Sequence, residues 1–174
     1  MFVVFLRGVN LGSHNKVPTK PLAARVAEQV GVPVRGYLQS GNLVVAGGRR
    51  DELAGLVGGL IRETTGLEIS IVVRSVSELE KLLAADPWPD EDPVKVHLSM
   101  WEGRHDQAAA KAMAAADWGG DEIVFSGRNA WLHYAGQSHT SRLGNQAVEK
   151  QLTVVATARN SRTIRALVDL AHEG

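Results

Sequence analysis

Three short segments of the sequence concentrate polar groups of the kind that bind anions. Residues 7–16 contain two glycines, two asparagines and two bases, and residues 39–42 and 157–163 add amides, hydroxyls and two arginines. Cations, amides and backbone N–H groups together surround bound phosphates and carboxylates. The third segment also precedes a predicted helix, whose first N–H groups are available as donors. We therefore predict an anion site formed by Arg7, Asn10, Asn15, Lys16, Gln39, Ser40, Asn42, Arg159 and Asn160.

Each segment also has an ordinary structural interpretation. Glycine and asparagine are common in loops because they tolerate left-handed backbone conformations. Ser40-Gly41 suits a two-residue hairpin turn, and Asn160 is a good N-cap for the helix that follows it. The sequence leaves open whether the segments bind a ligand or only shape turns, and whether all three converge.

An enzyme is the second hypothesis. Arg7 and Lys16 would stabilise negative charge that develops on a phosphorylated or acyl substrate, and His14 would act as a general base. The reaction would be a hydrolysis or a group transfer. The sequence names no obvious nucleophile and no carboxylate partner for His14, so the question of catalysis stays open.

Motifs for common cofactors and metals are absent from the sequence. It contains no GxxxxGK[ST], GxGxxG, GxSxG or HExxH, no cysteine, and six histidines without an i, i+4 pair. We therefore expect no metal site and no cofactor. The lack of cysteine also favours a reducing compartment.

Charge is balanced overall but segregated along the chain. The sequence has 19 Lys and Arg against 19 Asp and Glu. Residues 1–48 carry five bases and one acid (+4), residues 49–122 eight and fifteen (−7), and residues 123–174 six and three (+3). If the two basic ends meet, they form one positive surface that attracts an anion. The alternative is that they are separate solvated faces.

Composition favours a small anionic partner over nucleic acid. Aromatic residues make up 5%, the isoelectric point is near 7.0, and the aromatic pattern of RNA-binding sheets is missing. We expect a phosphate-bearing small molecule, with a nucleic-acid end as the alternative. A third hypothesis is an interaction protein that self-associates through apolar sheet faces, which leaves monomer and homodimer open.

Length and hydrophobicity indicate a folded globular protein. The 174 residues are 44% hydrophobic, which allows one large domain or two of about 80 residues. Apolar runs such as 2–6 and 43–46 are far shorter than the roughly 20 residues of a spanning helix. Strand-like residues begin at Phe2 and charge arrives at Arg7, so we expect no signal peptide, no membrane association and a cytoplasmic location.

Hydrophobic periodicity predicts the same order of elements twice. The first half has a strand at 2–7, a helix at 19–30, strands at 34–39 and 42–46, a helix at 51–65 and a strand at 68–74. The second half has a strand at 94–101, a helix at 105–116, strands at 122–125 and 129–134, a helix at 141–151 and a strand at 153–157. Between them lie a helix at 76–85, with Ser75 and Glu78 as a capping box, and a Pro- and acid-rich stretch at 86–93. A last helix spans 161–172.

This order predicts an α+β protein with two tandem ferredoxin-like βαββαβ units and a C-terminal helix. Each unit would be a four-stranded antiparallel sheet with two helices on one face. The predicted division is residues 1–75, a helix and linker at 76–93, and residues 94–174. The first strand is apolar on both faces, so the open face of its sheet needs a cover. The other unit, the terminal helix or a second subunit would provide it.

Several of these residues also stand in recognisable motifs. They are Leu6-Arg7-Gly8-Val9-Asn10-Leu11-Gly12, Asn15-Lys16, Tyr37-Leu38-Gln39-Ser40-Gly41-Asn42, Asp86-Pro87-Trp88 and Thr157-x-Arg159-Asn160-x-x-Thr163. In order and spacing they resemble the signatures of the bacterial domain of unknown function 1697 family over nearly the whole chain. The resemblance implies a tandem ferredoxin-like α+β fold and brings no established activity. Ser161 and Arg162 stand where that family usually has an aromatic residue and an asparagine, and Val45 stands where phenylalanine is common.

Overall fold

The first half of the chain forms a four-stranded antiparallel sheet and two helices. The computed structural model describes residues 1–12 and 14–173. Strands pair in the order β2-β3-β1-β4, so β1 and β3 are central and β2 and β4 are edges. The elements are β1 (Phe2–Leu6), α1 (Thr19–Val30), β2 (Val34–Tyr37), β3 (Asn42–Val45), α2 (Arg50–Thr65) and β4 (Ile71–Ser75).

The second half repeats this order after helix α3 (Val76–Ala84). Its elements are β5 (Val96–Trp101), α4 (Gln107–Ala115), β6 (Glu122–Ser126), β7 (Asn129–His133), a short 3-10 turn (Ser138–Thr140), α5 (Asn145–Leu152), β8 (Ala156–Asn160) and the terminal helix α6 (Ser161–His172). The strands pair in the order β6-β7-β5-β8, with β5 in the place of β1. The fold is therefore α+β with two four-stranded antiparallel sheets.

Contacts divide the chain into two compact units. The first unit contains residues 1–81 together with the C-terminal stretch from Ala166, and the second contains residues 82–165. Helix α6 thus begins in the second unit, and its residues from Ala166 onwards belong to the first. The sequence predicts this whole helix in the second half, and the contacts assign its residues from Ala166 onwards to the first unit.

The core of the first unit lies between one face of its sheet and the two helices. Alternate strand residues share this face because side chains of a strand alternate: Val4 and Leu6 of β1 lie with Leu43 and Val45 of β3. The helices contribute residues spaced three or four apart, as amphipathic helices do: Leu22, Ala23, Val26, Leu53, Val57, Leu60 and Ile61. The second unit has a corresponding core formed by Trp101, Ala110, Met113, Leu132, Val148 and Leu152.

The opposite face of the first sheet is apolar as well. Val3, Phe5 and Val44 are at most 4% exposed and lie outside the core just described. Within the first unit, Leu170 and Ala171 of α6 line a small cavity together with Val44. The terminal helix, one of the covers suggested by the sequence, therefore lies against this face.

Several predicted element ends differ from the structure. Strand β4 begins at Ile71 instead of 68, α5 begins at Asn145 instead of 141, and β8 continues to Asn160 instead of 157. Tyr37 pairs with Asn42, so the β2–β3 turn has four residues, 38–41, instead of two. Strand β8 begins at Ala156 instead of 153 because α5 continues to Leu152 and Thr153 ends it with φ of 54°. Strand pairing starts only after the chain has left this left-handed C-cap.

The predicted capping box at the start of α3 is confirmed. Glu78 N–H donates to Ser75 Oγ at 3.1 Å, and Ser75 N–H donates to Glu78 Oε2 at 2.7 Å. Arg50 Nη1 lies 2.8 and 3.0 Å from the two oxygens of the Glu78 carboxylate. Burial opposes ionisation, but the bonds from Ser75 and Arg50 outweigh it and hold the pKa of Glu78 below its usual value.

Replacement of Glu78 by glutamine should therefore destabilise the protein in a pH-dependent manner. The folded pKa is depressed, so the ionised carboxylate contributes stability above the unfolded pKa, and this contribution is lost as pH falls through the folded pKa. We expect Glu78→Gln to lower the free energy of unfolding by about 1 kcal/mol at pH 7, since the pair is partly exposed. Urea unfolding at pH 7 and pH 3 measures this. The difference between the two proteins should be smaller at pH 3 than at pH 7, and an equal difference at both pH values would contradict the assignment.

Gly41 sets the closest approach between the β2–β3 hairpin and β1. Its carbonyl accepts the N–H of Leu6 at 2.8 Å. A Cβ atom at Gly41 would lie 2.4 Å from Val9 Cγ2 and 2.8 Å from Leu6 Cβ, and the residue has φ of 75°. Only glycine fits both the space and the backbone conformation.

Gly41→Ala should accordingly lower the free energy of unfolding by about 3 kcal/mol, because it combines overpacking with left-handed strain. Gly127→Ala in the β6–β7 hairpin is the matched control. Gly127 has φ of 58° but nothing within 4 Å of its added Cβ, so only the strain of about 1 kcal/mol applies. Urea unfolding followed by circular dichroism compares the two variants. Equal losses would show that the contact with Val9 and Leu6 is not limiting.

Candidate functional site

The Asn10 carboxamide joins the first polar segment to the second. Its Nδ2 donates to the main-chain oxygens of Val17 at 2.9 Å and Gln39 at 2.5 Å, and its Oδ1 accepts the Val17 N–H at 2.9 Å. Asn10 has φ of 56°, a left-handed conformation in which asparagine is enriched. Residues 7–16 and 39–42 therefore meet in the first unit.

Other predicted site residues make internal bonds of the same kind. Asn15 Nδ2 donates to the Gly8 carbonyl at 3.0 Å. Asn42 is fully buried and donates from Nδ2 to Tyr37 O at 3.0 Å and Ser40 Oγ at 2.9 Å. These side chains shape the loop and the hairpin, and direct contact between them and a ligand stays a prediction.

The ionisable residues of the first segment lie on the surface. Arg7 and Lys16 are exposed, and the Arg7 N–H donates to the Ser70 carbonyl at 3.0 Å. His14 is exposed too, and within residues 1–12 and 14–173 no carboxylate is hydrogen-bonded to its ring. The general-base hypothesis for His14 therefore gains no partner from this part of the chain.

The third segment lies in the second unit, at the junction of β8 and α6. Asn160 Oδ1 accepts the N–H of Thr163 at 2.9 Å, so the predicted N-cap is confirmed. The Arg162 N–H donates to Pro93 O at 3.3 Å. Two N–H groups of the first turn of α6 thus have protein acceptors, which leaves fewer donors for an anion than the sequence suggested.

Arg159 and Arg74 occupy matching positions on the last strand of each unit. Arg74 lies opposite Val3 of β1, and Arg159 lies opposite Leu98 of β5. Each Nη1 donates to the carbonyl of the preceding residue, at 2.9 Å for Arg74 and 2.8 Å for Arg159. Burial lowers the pKa of Arg159 to about 10, so it stays charged at neutral pH. Arg74, which is 1% exposed, was not predicted, although its place in the repeated order is visible in the sequence.

A cleft of about 430 Å³ opens beside the joined segments. It lies between the first turn of α1, the end of β2 and the hairpin, all within the first unit. Its lining is Pro18, Thr19, Lys20, Pro21, Gly36, Leu38 and Gln39. Gln39 is the one residue of the predicted set that lines it.

The first turn of α1 is uncapped where it borders this cleft. Pro18 occupies the N-cap position and makes no side-chain cap bond, and the first turn carries no acidic residue. The first N–H groups of a helix have no partner within the helix and give that end a partial positive charge. Thr19 is only 9% exposed, and its buried Oγ1 has no hydrogen-bond partner in the described part of the chain. Lys20 is exposed beside it. Pro18 and Pro21 have no N–H, so this turn offers the main-chain N–H groups of Thr19 and Lys20 and the ammonium group of Lys20 at one end of the cleft. The Thr19 hydroxyl beside them is buried from solvent.

The second unit offers an internal comparison. A cleft between the loop after β5 and the β6–β7 hairpin, near the start of α4, is lined by Gly103, Arg104, His105, Gln107, Gly127 and Arg128. There the helix α4 begins with Asp106, whose carboxylate accepts the N–H groups of Ala108 at 2.8 Å and Ala109 at 3.1 Å. The helix end in the second unit is thus already neutralised by its own side chain.

Thr19 and Lys20 were missed because they belong to a predicted helix instead of a polar loop. The signal that identifies them is the absence of a capping residue before the helix. The residues just before α1 are Val17 and Pro18, and neither side chain can cap a helix, whereas most helices begin with a capping side chain.

Two other features of the described residues concern metal binding and membrane crossing. No group of three or more His, Asp or Glu side chains in residues 1–12 and 14–173 could hold a metal ion. No helix found in these residues is both long and apolar enough to cross a bilayer.

Comparison with known proteins supplies a family and a fold. The family described as protein of unknown function (DUF1697) matches residues 1–131. The chain belongs to this family. A solved structure, the conserved bacterial protein SP0830 from Streptococcus pneumoniae, is similar with a TM-score of 0.75 and 17% identity, over 98% of this chain and 97% of that chain. No curated protein matches the sequence. The resemblance predicted from the motifs is confirmed.

The DUF1697 match includes the cleft of the first unit. Helix α1, strand β2 and the hairpin all lie within residues 1–131, whereas Arg159 and Asn160 lie beyond them. The likeness to SP0830 extends over almost the full length of the chain and concerns the fold.

Asn10→Asp should disrupt the junction of the loop and the hairpin in this DUF1697 chain. An ionised aspartate keeps the bond from Val17 N–H but faces the carbonyls of Val17 and Gln39 with no donor, so we expect a loss of about 2 kcal/mol in the free energy of unfolding. Asn15→Asp is the control, because Asn15 donates to one carbonyl, that of Gly8, in an exposed position. Urea unfolding of both variants checks the order. A larger loss for Asn15→Asp would contradict the central place of Asn10.

Proposed function

We propose that the first unit binds a small anionic molecule in the cleft between α1, β2 and the β2–β3 hairpin. The observation that carries the proposal is the uncapped first turn of α1. It combines the N–H groups of Thr19 and Lys20, the ammonium group of Lys20, and a buried Thr19 hydroxyl that has no hydrogen-bond partner among residues 1–12 and 14–173. An anion at this turn would accept hydrogen bonds that no protein group provides for and would interact favourably with the helix dipole.

The second unit supports this assignment by contrast. In α4 the carboxylate of Asp106 occupies the position in which the ligand anion would sit at α1. A carboxylate at this position is therefore compatible with the repeated arrangement of helix, sheet and hairpin. In the first unit the corresponding acceptor would come from outside the chain.

Size and lining favour a small molecule. A volume of about 430 Å³ lies within the usual range of small-molecule sites, roughly 300 to 1,000 Å³. Pro18, Pro21 and Leu38 form apolar walls, and Gln39 adds an amide. The ligand would thus combine one anionic group with an apolar body. A nucleic-acid end is the alternative occupant, and an oligonucleotide titration distinguishes the two.

The predicted polar residues support this site in two ways. Asn10, Asn15 and Asn42 hold the loop and the hairpin through internal hydrogen bonds. Arg7 and Lys16 lie on the loop that precedes α1 and add positive charge to this part of the first unit. Most of the predicted set would therefore position the cleft and set its electrostatic potential.

We also infer that each unit is of the ferredoxin-like type. This inference is supported by the order βαββαβ, by the strand order β2-β3-β1-β4 and its counterpart β6-β7-β5-β8, and by two helices on one sheet face. In such units the loop after the first strand and the central hairpin lie at one end of the sheet, which is where the cleft is found.

Titration with inorganic phosphate tests the proposal at the level of single amides. Phosphate should shift the ¹⁵N–¹H resonances of Thr19 and Lys20 progressively at concentrations well above millimolar, and Lys20→Gln should weaken binding about fivefold, as for one exposed charge pair. Lys111→Gln on the exposed surface of α4 removes the same charge elsewhere and should have no effect. Equal weakening by both variants would reveal only non-specific charge attraction.

Pro18→Asp tests the same site through stability and binding together. An aspartate at the N-cap should bond the Lys20 N–H as Asp106 bonds that of Ala108 in α4, whereas Pro21 has no N–H for a second bond. This single bond should raise the free energy of unfolding by about 0.5 to 1 kcal/mol. It should also remove phosphate binding, because the helix end is then occupied and carries a like charge. Pro18→Ala controls for the loss of proline and should leave binding in place. Unchanged phosphate binding in Pro18→Asp would exclude the helix end as the site.

A further inference from the structure

We propose that the anion bound at α1 is the C-terminal carboxylate of an extended peptide, which adds a strand to the free edge of β2. This inference rests on the proposed function, because it uses the same cleft and the same helix end. The partner of the cleft would be a peptide with a free C-terminus.

Strand β2 is an edge strand whose outer side borders the cleft. Its one strand neighbour is β3. The Ala46 N–H donates to the Pro33 carbonyl at 3.0 Å, and the register continues with Val34 opposite Val45 and Gly36 opposite Leu43. In an antiparallel pair hydrogen-bonded and non-hydrogen-bonded positions alternate. The N–H and C=O groups of Val34 and Gly36 therefore point away from β3, where an added strand would meet them.

Gly36 brings this edge close to the first turn of α1. A Cβ added at Gly36 would lie 3.0 Å from Thr19 Cγ2, so the strand and the helix approach each other as closely as a residue without a side chain allows. Gly36 and Thr19 also line the same cleft. The strand edge and the helix end are thus adjacent in the first unit, which is the arrangement that strand addition with carboxylate capture requires.

The cations that line the cleft suit a carboxylate and lack the arginines typical of phosphopeptide sites. A helix N-terminus carries about half a positive charge, and Lys20 is the one cation in the cleft lining. Together they supply about one and a half positive charges, enough to hold a single carboxylate without a further cation. Sites that recognise phosphate on peptides typically use clusters of arginine, and the lining of this cleft contains none. Pro18, Pro21 and Leu38 would accept the apolar side chain of the terminal residue.

The test uses an N-acetylated hexapeptide of alternating threonine and valine, with either a free or an amidated C-terminus. Binding is measured by ¹⁵N–¹H chemical shifts with the full chain. We expect the free acid to shift Gly36 as well as Thr19 and Lys20, the amide to bind at least tenfold more weakly, and Lys20→Gln to weaken the free acid about fivefold. Lys111→Gln is again the matched control.

Peptides methylated at one backbone nitrogen at a time identify strand addition. Only the N–H groups that face β2 matter, so methylation at alternate positions should abolish binding and methylation at the positions between should not. Equal binding of acid and amide, or no alternation, overturns the peptide proposal. If phosphate binds and the free acid does not, the peptide proposal fails while the anion site stands, and if neither shifts Thr19 or Lys20 both fail.

Discussion

The hydrogen bonds of the Asn10 carboxamide are the constraint on which the arrangement of the first unit's cleft depends. Both main-chain groups of Val17 bond to this side chain, and the remaining N–H bonds to the Gln39 carbonyl. Val17 directly precedes Pro18, so the start of α1 and the hairpin are held from a single point. These three hydrogen bonds need two donors and one acceptor at the end of one short side chain, and asparagine alone provides that combination. The distance between the helix end and the hairpin, and hence the cleft, follows from this choice of residue.

The packing beneath this junction makes it rigid. Gly41 lies so close to Leu6 and Val9 that a methyl group has no space, and Leu6 and Val9 belong to the buried core. The loop and the hairpin are therefore fixed to the core as well as to each other. Because the loop and the hairpin are fixed, the first turn of α1 cannot change conformation to provide acceptors for its own N–H groups, and the helix end stays uncapped. Local rules of polar satisfaction are most often broken at functional positions, and the first turn of α1 is such a break beside a cleft.

The sequence predicts most helices and strands but only part of the candidate site, because some of the interactions are local in the chain and others are not. Periodicity identified α1 at 19–30 because apolar spacing reflects which face is buried, and Ser75 with Glu78 identified the start of α3 because a capping box is a local interaction. The bond from Asn10 to Gln39 spans 29 positions, and no local pattern encodes such a contact. The sequence predicts Asn10, Asn15 and Asn42 as ligand groups because an asparagine that donates to a main-chain carbonyl cannot be told by its residue type from one that donates to a phosphate. Arg74 was overlooked because a buried arginine in an apolar strand departs from the usual composition of a core.

For the anion binding proposed above, the energetics of the cleft indicate what kind of ligand would be required. A helix end contributes about 0.3 to 1 kcal/mol to an anion, rising to about 2 in partly buried geometry, and one exposed lysine adds about 0.2 to 1 kcal/mol. The sum falls short of the roughly 4.1 kcal/mol that corresponds to a Kd of 1 mM. A bare anion would therefore bind more weakly than millimolar, and useful affinity has to come from the rest of the ligand. In the first unit that additional surface consists of the apolar walls at Pro18, Pro21 and Leu38 and the open edge at Gly36. If α1 had a capping acceptor like Asp106 in α4, that side chain would bond the N–H groups of the helix end. A ligand anion would then gain no hydrogen bonds there. Under the proposed function, the missing cap at Pro18 would convert a small loss of helix stability into selectivity for a molecule that brings both an anionic end and an extended apolar body.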